Sequence, residues 1–336
     1  MKLKKLIGMT TAAMIGVIGV SSCAMADGTH TSKNAYSDPV KIAVCLYSES
    51  DNTAMQLLMG LDSVFESYDN VTYQVFASQG NADTQVAQLE DTVIQGFDAV
   101  LVQATDSQAI VSACQEVMDA GIPLLSLNLA PSVGHAVNVA PNGPLGGKLL
   151  AQEAIEATGK DSGKWLFIGP PESGMNLTSE PFYSFQQYMQ SVSDQWEMLE
   201  LQNGDYSTEM GQSIMADMLT KYDDVDFVFA ACDEMAEGAA MAAQAAGRDE
   251  ILIYGAGGCS EKMLEYIDEG LCDGSILMNF VDGGKLAAKF ALYAINSNLD
   301  MNAQDEVRTV FYDAQIITKD ETEEARDLLR SWGVME

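Results

Sequence analysis

A strand, a polar corner, a helix ending on glycine and a second strand occur twice in this chain, and that repeat leaves few folds open to it. In Asp226–Gly258 (DFVFAACDEMAEGAAMAAQAAGRDEILIYGAGG), the apolar run Phe227–Ala231 has the length of a strand. Asp233 then suits a helix N-cap, with Glu234 and Glu237 in the first turn where carboxylates complement the helix dipole. Gly247 suits the helix C-terminus, and Ile251–Tyr254 is the next strand. Phe97–Asn128 follows the same course, with Asp106, Ala109 and Gly121 where the later copy has Asp233, Ala236 and Gly247. Parallel strands require a crossover of this kind. The remaining strands alternate with helices in the same way: Val40–Leu46, Val71–Phe76, Lys164–Ile168, Trp196–Leu201, Ser275–Asn279 and one near Val307–Phe311. The pattern predicts an α/β chain of two similar doubly wound parallel-sheet lobes, broken near Pro141–Pro144, with a ligand cleft between them. Corners such as Ala231–Cys232–Asp233 lie at the carboxyl ends of strands, where such sheets bind ligands.

A length of 336 residues accommodates two such lobes, each with its own core. The formal net charge of −32, with no Lys/Arg cluster beyond the first five residues, excludes a nucleic-acid partner. It reads as a solvated surface that keeps an exported protein soluble. Met1–Lys5 carries three lysines and Leu6–Val20 is an uncharged, mostly apolar run too short to span a membrane comfortably. Val20–Cys23 resembles a bacterial lipobox, so residues 1–22 are expected as a signal peptide and Cys23 as the lipid attachment point. Cleavage after Ala26 is the competing site, and residues 23–38 are polar enough for a flexible tether.

Cys45, Cys114, Cys232, Cys259 and Cys272 show no paired metal-ligand spacing, and the two histidines, His30 and His135, have no ligand setting. No metal or cofactor is expected. Gly255–Ser260 departs from the dinucleotide fingerprint at its last glycine, and Asn142–Lys148 lacks the P-loop hydroxyl. With no nucleophile elbow or candidate base, an enzyme is not expected.

KIAVCLYSESDNTAM at the first strand, the QATDSQA corner, AGIPLLSLN, PNGPLGGKLLAQ and VFAACDEMAEGAA together resemble the periplasmic-binding-protein-like sugar receptors of the ribose/galactose type. The resemblance covers about Lys41 to Phe311. It implies the type I fold, with a three-crossing hinge joining an N-terminal lobe (39–141 plus 279–306) to a C-terminal lobe (142–278 plus 307–336). It also implies an extracytoplasmic, monomeric lipoprotein, on the outer face of the cytoplasmic membrane or in the periplasm. Such a protein binds a sugar or sugar-like molecule and docks on the permease subunits of an ABC importer. A sensor of the same fold, reporting to a membrane receptor or histidine kinase, is the alternative.

Carried over position by position, the resemblance implies ligand contacts at Asp51, Thr53, Asn128, Tyr206, Cys232, Asp233, Gly257 and Asn279. Tyr206 matches a ring-stacking aromatic and Asp51 a family Asn. Thr53 and Ala54 stand in place of aromatics, Asn128–Leu129 in place of Asp-Arg, and Cys232 in place of Asn. Gly257 replaces an Asp, Pro181 an Arg, and either Met278 or Asn279 a Gln. Losing several charged, bidentate contacts argues against ribose and for a larger or less hydroxylated ligand, such as a modified sugar or nucleoside.

Overall fold

In the computed structural model the described residues are 33–49, 52–134, 137–170, 180–192, 195–297 and 308–335. The expected leader, Cys23, His30, Asp51 and His135 lie outside them. The elements run β1 (Val40–Leu46), α1 (Asn52–Phe65), β2 (Val71–Ala77), α2 (Ala82–Ile94), β3 (Ala99–Val102), α3 (Val111–Asp119), β4 (Leu124–Leu127) and β5 (Val137–Pro141). Next come α4 (Gly143–Thr158), β6 (Gly163–Gly169), α5 (Glu180–Val192), β7 (Trp196–Asn203), α6 (Thr208–Lys221), β8 (Phe227–Ala230) and α7 (Asp233–Ala246). The chain closes with β9 (Leu252–Gly257), α8 (Glu261–Glu269), β10 (Gly274–Met278), α9 (Phe280–Ser297), β11 (Thr309–Tyr312), β12 (Ala314–Ile317) and α10 (Thr322–Ser331).

Two six-stranded sheets result, ordered β11-β5-β4-β3-β1-β2 and β12-β10-β9-β8-β6-β7. All pairs are parallel except β10 with β12. This is the type I two-lobe architecture expected from the sequence. The repeat is visible in its chemistry as well as its order. Asp98, just before β3, and Asp226, just before β8, are both buried. Asp98 accepts from the Lys41 N–H at 2.9 Å, and Asp226 from the Lys164 N–H at 2.7 Å. Each also takes a lysine partner, Lys33 for Asp98 and Lys160 for Asp226.

The chain crosses between sheets at Asn142, Asn279 and Asp313. β11 pairs with β5, so the third crossing falls after Tyr312 and not near Val307, and residues 309–312 belong to the first sheet. Two strands were not read from the sequence. β5 alternates apolar and polar residues but ends on a proline, and β12 is a four-residue strand that exists by antiparallel pairing with β10. Residues 33–38, expected as tether, instead pack on the first lobe. Ala35 is fully buried, and Asn70 Nδ2 donates to the Ala35 and Asp38 carbonyls.

In each lobe two helices approach closely enough for backbone contact. A β-carbon on Gly238 of α7 would sit 2.0 Å from the Thr208 carbonyl oxygen of α6, and one on Gly284 of α9 would sit 2.1 Å from that of Leu57 in α1. Backbone cannot yield as a side chain does, so Gly238→Ala and Gly284→Ala are each expected to destabilise by about 1–3 kcal/mol or more. Thermal unfolding checks this: midpoints should fall by several degrees, while Met241→Ala, at a half-exposed position on α7, should leave the midpoint nearly unchanged.

Candidate ligand-binding cleft

The strands of both sheets point their carboxyl ends at one cavity of about 440 Å³. From the first lobe it is lined by Tyr47 after β1, Gly80 after β2, Gln103 and Thr105 after β3, Asn128 after β4, Asn138 of β5, and Asn52 and Thr53 opening α1. The second lobe contributes Phe167 of β6, Pro181 and Phe182 of α5, Asp205 and Tyr206 after β7, and Phe229 of β8. It also contributes Ala231–Glu234 and Ala256–Gly258. Pro141, Gly143, Met278 and Phe280 line it beside the crossings.

A buried network sets the polar floor of the first lobe. Gln85, fully buried, donates from Nε2 to the Gln103 carbonyl (2.8 Å) and accepts at Oε1 from the Thr105 N–H (2.7 Å). The hydroxyls of Ser78 and Thr105 are 2.6 Å apart, and Gln103 Oε1 accepts from the Tyr47 N–H at 3.2 Å. Asn138 Oδ1 accepts from Ser126 Oγ at 2.6 Å. These bonds hold the amides and hydroxyls before any ligand arrives, so little order need be imposed on binding. Facing them is an apolar wall in which the Phe167 and Phe182 rings stack with centroids 4.1 Å apart.

Asn128 and Tyr206 both have left-handed backbones, with φ of 69° and 65°. Asn tolerates that conformation and Tyr rarely adopts it, so the loop geometry fixes the Tyr206 ring against the cavity at some cost in strain. Cys232, rather than Asp233, is the N-cap of α7: its Sγ accepts from the Met235 N–H at 3.4 Å, and burial pushes the thiol well above its usual pKa. The expected capping role of Asp233 is therefore corrected. Asp233 is the first helical residue, and its carboxylate turns inward, accepting from Ser275 Oγ (2.5 Å) and the Cys259 N–H (3.0 Å). Asp106 does not cap α3 either; it holds a turn by accepting from the Gln108 and Ala109 N–H groups.

Gly257 follows from the same carboxylate. A β-carbon there would lie 3.0 Å from Asp233 Oδ2, and one on Gly255 would lie 2.7 Å from Oδ1. An Asp at 257 would set a second carboxylate against the first.

Thr53, Asn128, Tyr206, Cys232, Asp233 and Gly257 thus meet at the cavity. Asn279 is not among its lining residues. It sits at a crossing, where its Oδ1 accepts from the Asp282 N–H at 3.0 Å and its Nδ2 donates to the Asp282 carboxylate at 2.9 Å. The sequence reading missed Tyr47, Asn52, Gln103, Thr105, Asn138, Asp205, Glu234 and the phenylalanines. Gln103 and Thr105 were within reach, since they are the first and third residues of the QATDSQA corner at the end of β3.

A model of the periplasmic binding protein domain matches residues 42–299. The chain belongs to that family. Ribose import binding protein RbsB of Escherichia coli is 29% identical over 233 residues, covering 68% of this chain and 72% of its own. The solved solute-binding protein of Bacillus halodurans with bound myo-inositol superposes with a TM-score of 0.76 at 21% identity, over 87% of this chain and 98% of that one. That of Actinobacillus succinogenes with bound D-allose gives 0.73 at 21% identity, over 85% and 99%.

Within this family member, Asp233 leads to a pH test. Burial, only partly offset by the Ser275 hydrogen bond, pushes its carboxyl up to about 7. An acid whose pKa is raised on folding binds its proton more tightly when folded. It therefore withdraws stability as pH rises from the unfolded pKa near 4 toward 7, by ~1.4 kcal/mol for each pH unit crossed in that window. Asp233→Asn can keep both partners without a charge, and its stability is expected to fall less across pH 4–7 than that of the parent. Parallel slopes in denaturant titrations would refute the assignment.

Proposed function

We propose that the protein is an extracytoplasmic solute-binding lipoprotein that captures a sugar or sugar-like molecule between its lobes and delivers it to an ABC-type importer. The observation that carries this reading is the cleft itself, where fixed amide and hydroxyl groups from one lobe face aromatic rings from the other. Polyols present hydroxyls at the rim and C–H groups on the ring faces. They match such a surface through hydrogen bonds on one side and stacking on the other. The relatives support the same class: ribose import for the Escherichia coli protein, and bound myo-inositol and D-allose in the two solved structures.

Thr53, Asn128, Tyr206 and Cys232 are the contacts we assign from the sequence expectation, joined by Asn52, Gln103 and Asn138 from the geometry. Asp233 and Gly257 act together, the first bracing β9 and β10 and the second leaving it room. A ligand touching both lobes favours the closed arrangement by differential affinity, and an importer's permease subunits would read that arrangement. Closure has a foothold beyond the crossings. A β-carbon on Gly258 of the second lobe would meet Gln56 Nε2 of α1 at 2.6 Å, and one on Gly333 would meet Met59 Cε at 3.3 Å. Among the described residues no helix is long and apolar enough to cross a membrane. We assign attachment to a lipid at Cys23, on the lipobox-like Val20–Cys23, with the protein acting as a monomer.

Thermal unfolding of the purified protein against pentoses, hexoses, sugar alcohols, disaccharides and nucleosides tests the reading, because a ligand of the folded state raises the midpoint by mass action. At least one of these compounds is expected to do so. Tyr206→Asn keeps a side chain suited to the left-handed backbone while removing the ring, and is expected to weaken that ligand by about 0.5–1.5 kcal/mol. A midpoint unmoved by the entire panel would count against sugar capture.

A further inference from the structure

The cleft has hydrogen-bonding groups in quantity, but among the described residues its formal charges are all of one sign. Asp205, Asp233 and Glu234 line it, whereas no lysine or arginine does. Every lysine and arginine beyond residue 32 lies among the described residues, and each stands away from the cavity. The three carboxylates are not equivalent. Asp233 is spent on Ser275 and Cys259, inside the second lobe. Asp205 and Glu234 are exposed and stand on the same wall, one beside Tyr206 in the loop after β7 and the other in the first turn of α7. Asp205 accepts from the Ser207 N–H (3.1 Å) and Oγ (2.6 Å), neutral donors that leave its charge uncompensated.

The positive ends of helices also reach the cavity, but two of them are already capped from within, α4 by Asn142 Oδ1 and α7 by Cys232 Sγ. When the lobes shut on a ligand, both exposed carboxylates lose water. A neutral polyol offsets that cost only in part through its hydroxyl donors, an anionic ligand adds repulsion, and a cationic one offsets it further by supplying the opposite charge. The Tyr206 ring beside them offers a second favourable surface for a cation.

We infer that the cleft takes a polyhydroxylated ligand bearing a protonated amine, an amino sugar or amino polyol, with its ammonium on the Asp205–Glu234 side. The inference rests on the solute-binding reading above and narrows its ligand class. It is tested by titration calorimetry on the full protein with matched probes: glucosamine against glucose, galactosamine against galactose, and glucamine against sorbitol, with glucuronate as the anion. In at least one pair the amine is expected to bind about tenfold or more tightly than its parent, and glucuronate to bind more weakly than either. The preference should shrink with added NaCl, because the two carboxylates are solvent-exposed in the unliganded protein. It should also shrink in the Asp205→Asn/Glu234→Gln double variant, read as the ratio of amine to parent affinity within each pair. If a neutral sugar binds as well as its amine in every pair that binds, the inference falls and the solute-binding reading stands. Tighter binding of glucuronate overturns it in the same way. If no member of any pair binds while another compound of the thermal-unfolding panel does, the amine inference falls and the solute-binding reading stands.

Discussion

The two sheets are held relative to each other by hydrogen bonds among three adjacent crossings. Asn142 donates its N–H to the Tyr312 carbonyl at 2.9 Å, and Asn279 donates its own to that of Asp313 at 3.3 Å. β11 leaves the first sheet at Tyr312 and β12 enters the second at Ala314, so a single residue separates them. A connection that short fixes which strand ends face each other, and everything the cleft contains follows. The crossings are also braced by side chains, with Tyr312 fully packed against Phe280 and Gly283, and Asn279 capping α9. Motion of the lobes must therefore bend the backbone at Asn142, Asn279 and Asp313, since the elements on either side are packed into their own sheets.

How much of this was legible in the chain depended on whether an element declares itself locally. β1, β3, β6 and β8 are apolar runs with glycine or capping signals at hand, and several helices end where glycine permits a left-handed residue, as at Gly159, Gly247 and Gly270. β5 and β12 carry no such signal. Each takes its identity from strand partners and not from its own residues, β5 from the neighbouring β4 and the distant β11, and β12 from β10. Because β11 was read as a single late strand of the second lobe, the third crossing was misplaced by about one short element. Residues 33–38 were misread for a related reason: their polar composition suits a tether, while Lys33, Ala35 and Asp38 find partners on the first lobe that only the fold supplies.

The site shows the same division more sharply. Asn128, Tyr206 and Cys232 follow strands, and position at a strand's carboxyl end is readable from the pattern. The direction of a side chain is not. Asp233 has the composition of a cap, yet its carboxylate turns into the lobe toward β9 and β10 and leaves the cap to a thiol. Asn279 has the composition of a ligand contact and is consumed by the start of α9. Gln85 and Ser78 shape the floor without touching the cavity, and nothing in their local sequence distinguishes them from ordinary buried polar residues.

The internal repeat explains where the two lobes are allowed to differ. Asp98 and Asp226 make the same bond to the first strand of their own lobe, each with a lysine beside it, because that end of each sheet carries only architecture. At the opposite end the copies part company. The first lobe braces its corner with uncharged groups, Gln85 against Gln103 and Thr105, and so presents amides and hydroxyls to the cleft. The second braces its corner with a buried carboxylate, which draws in Ser275 and the Cys259 amide and demands glycine at 255 and 257. Two further acidic groups, Asp205 and Glu234, stand exposed on the cleft wall beside it. The polarity of one wall and the charge of the other are thus consequences of how each lobe secures its own strand ends, and the ligand must satisfy both.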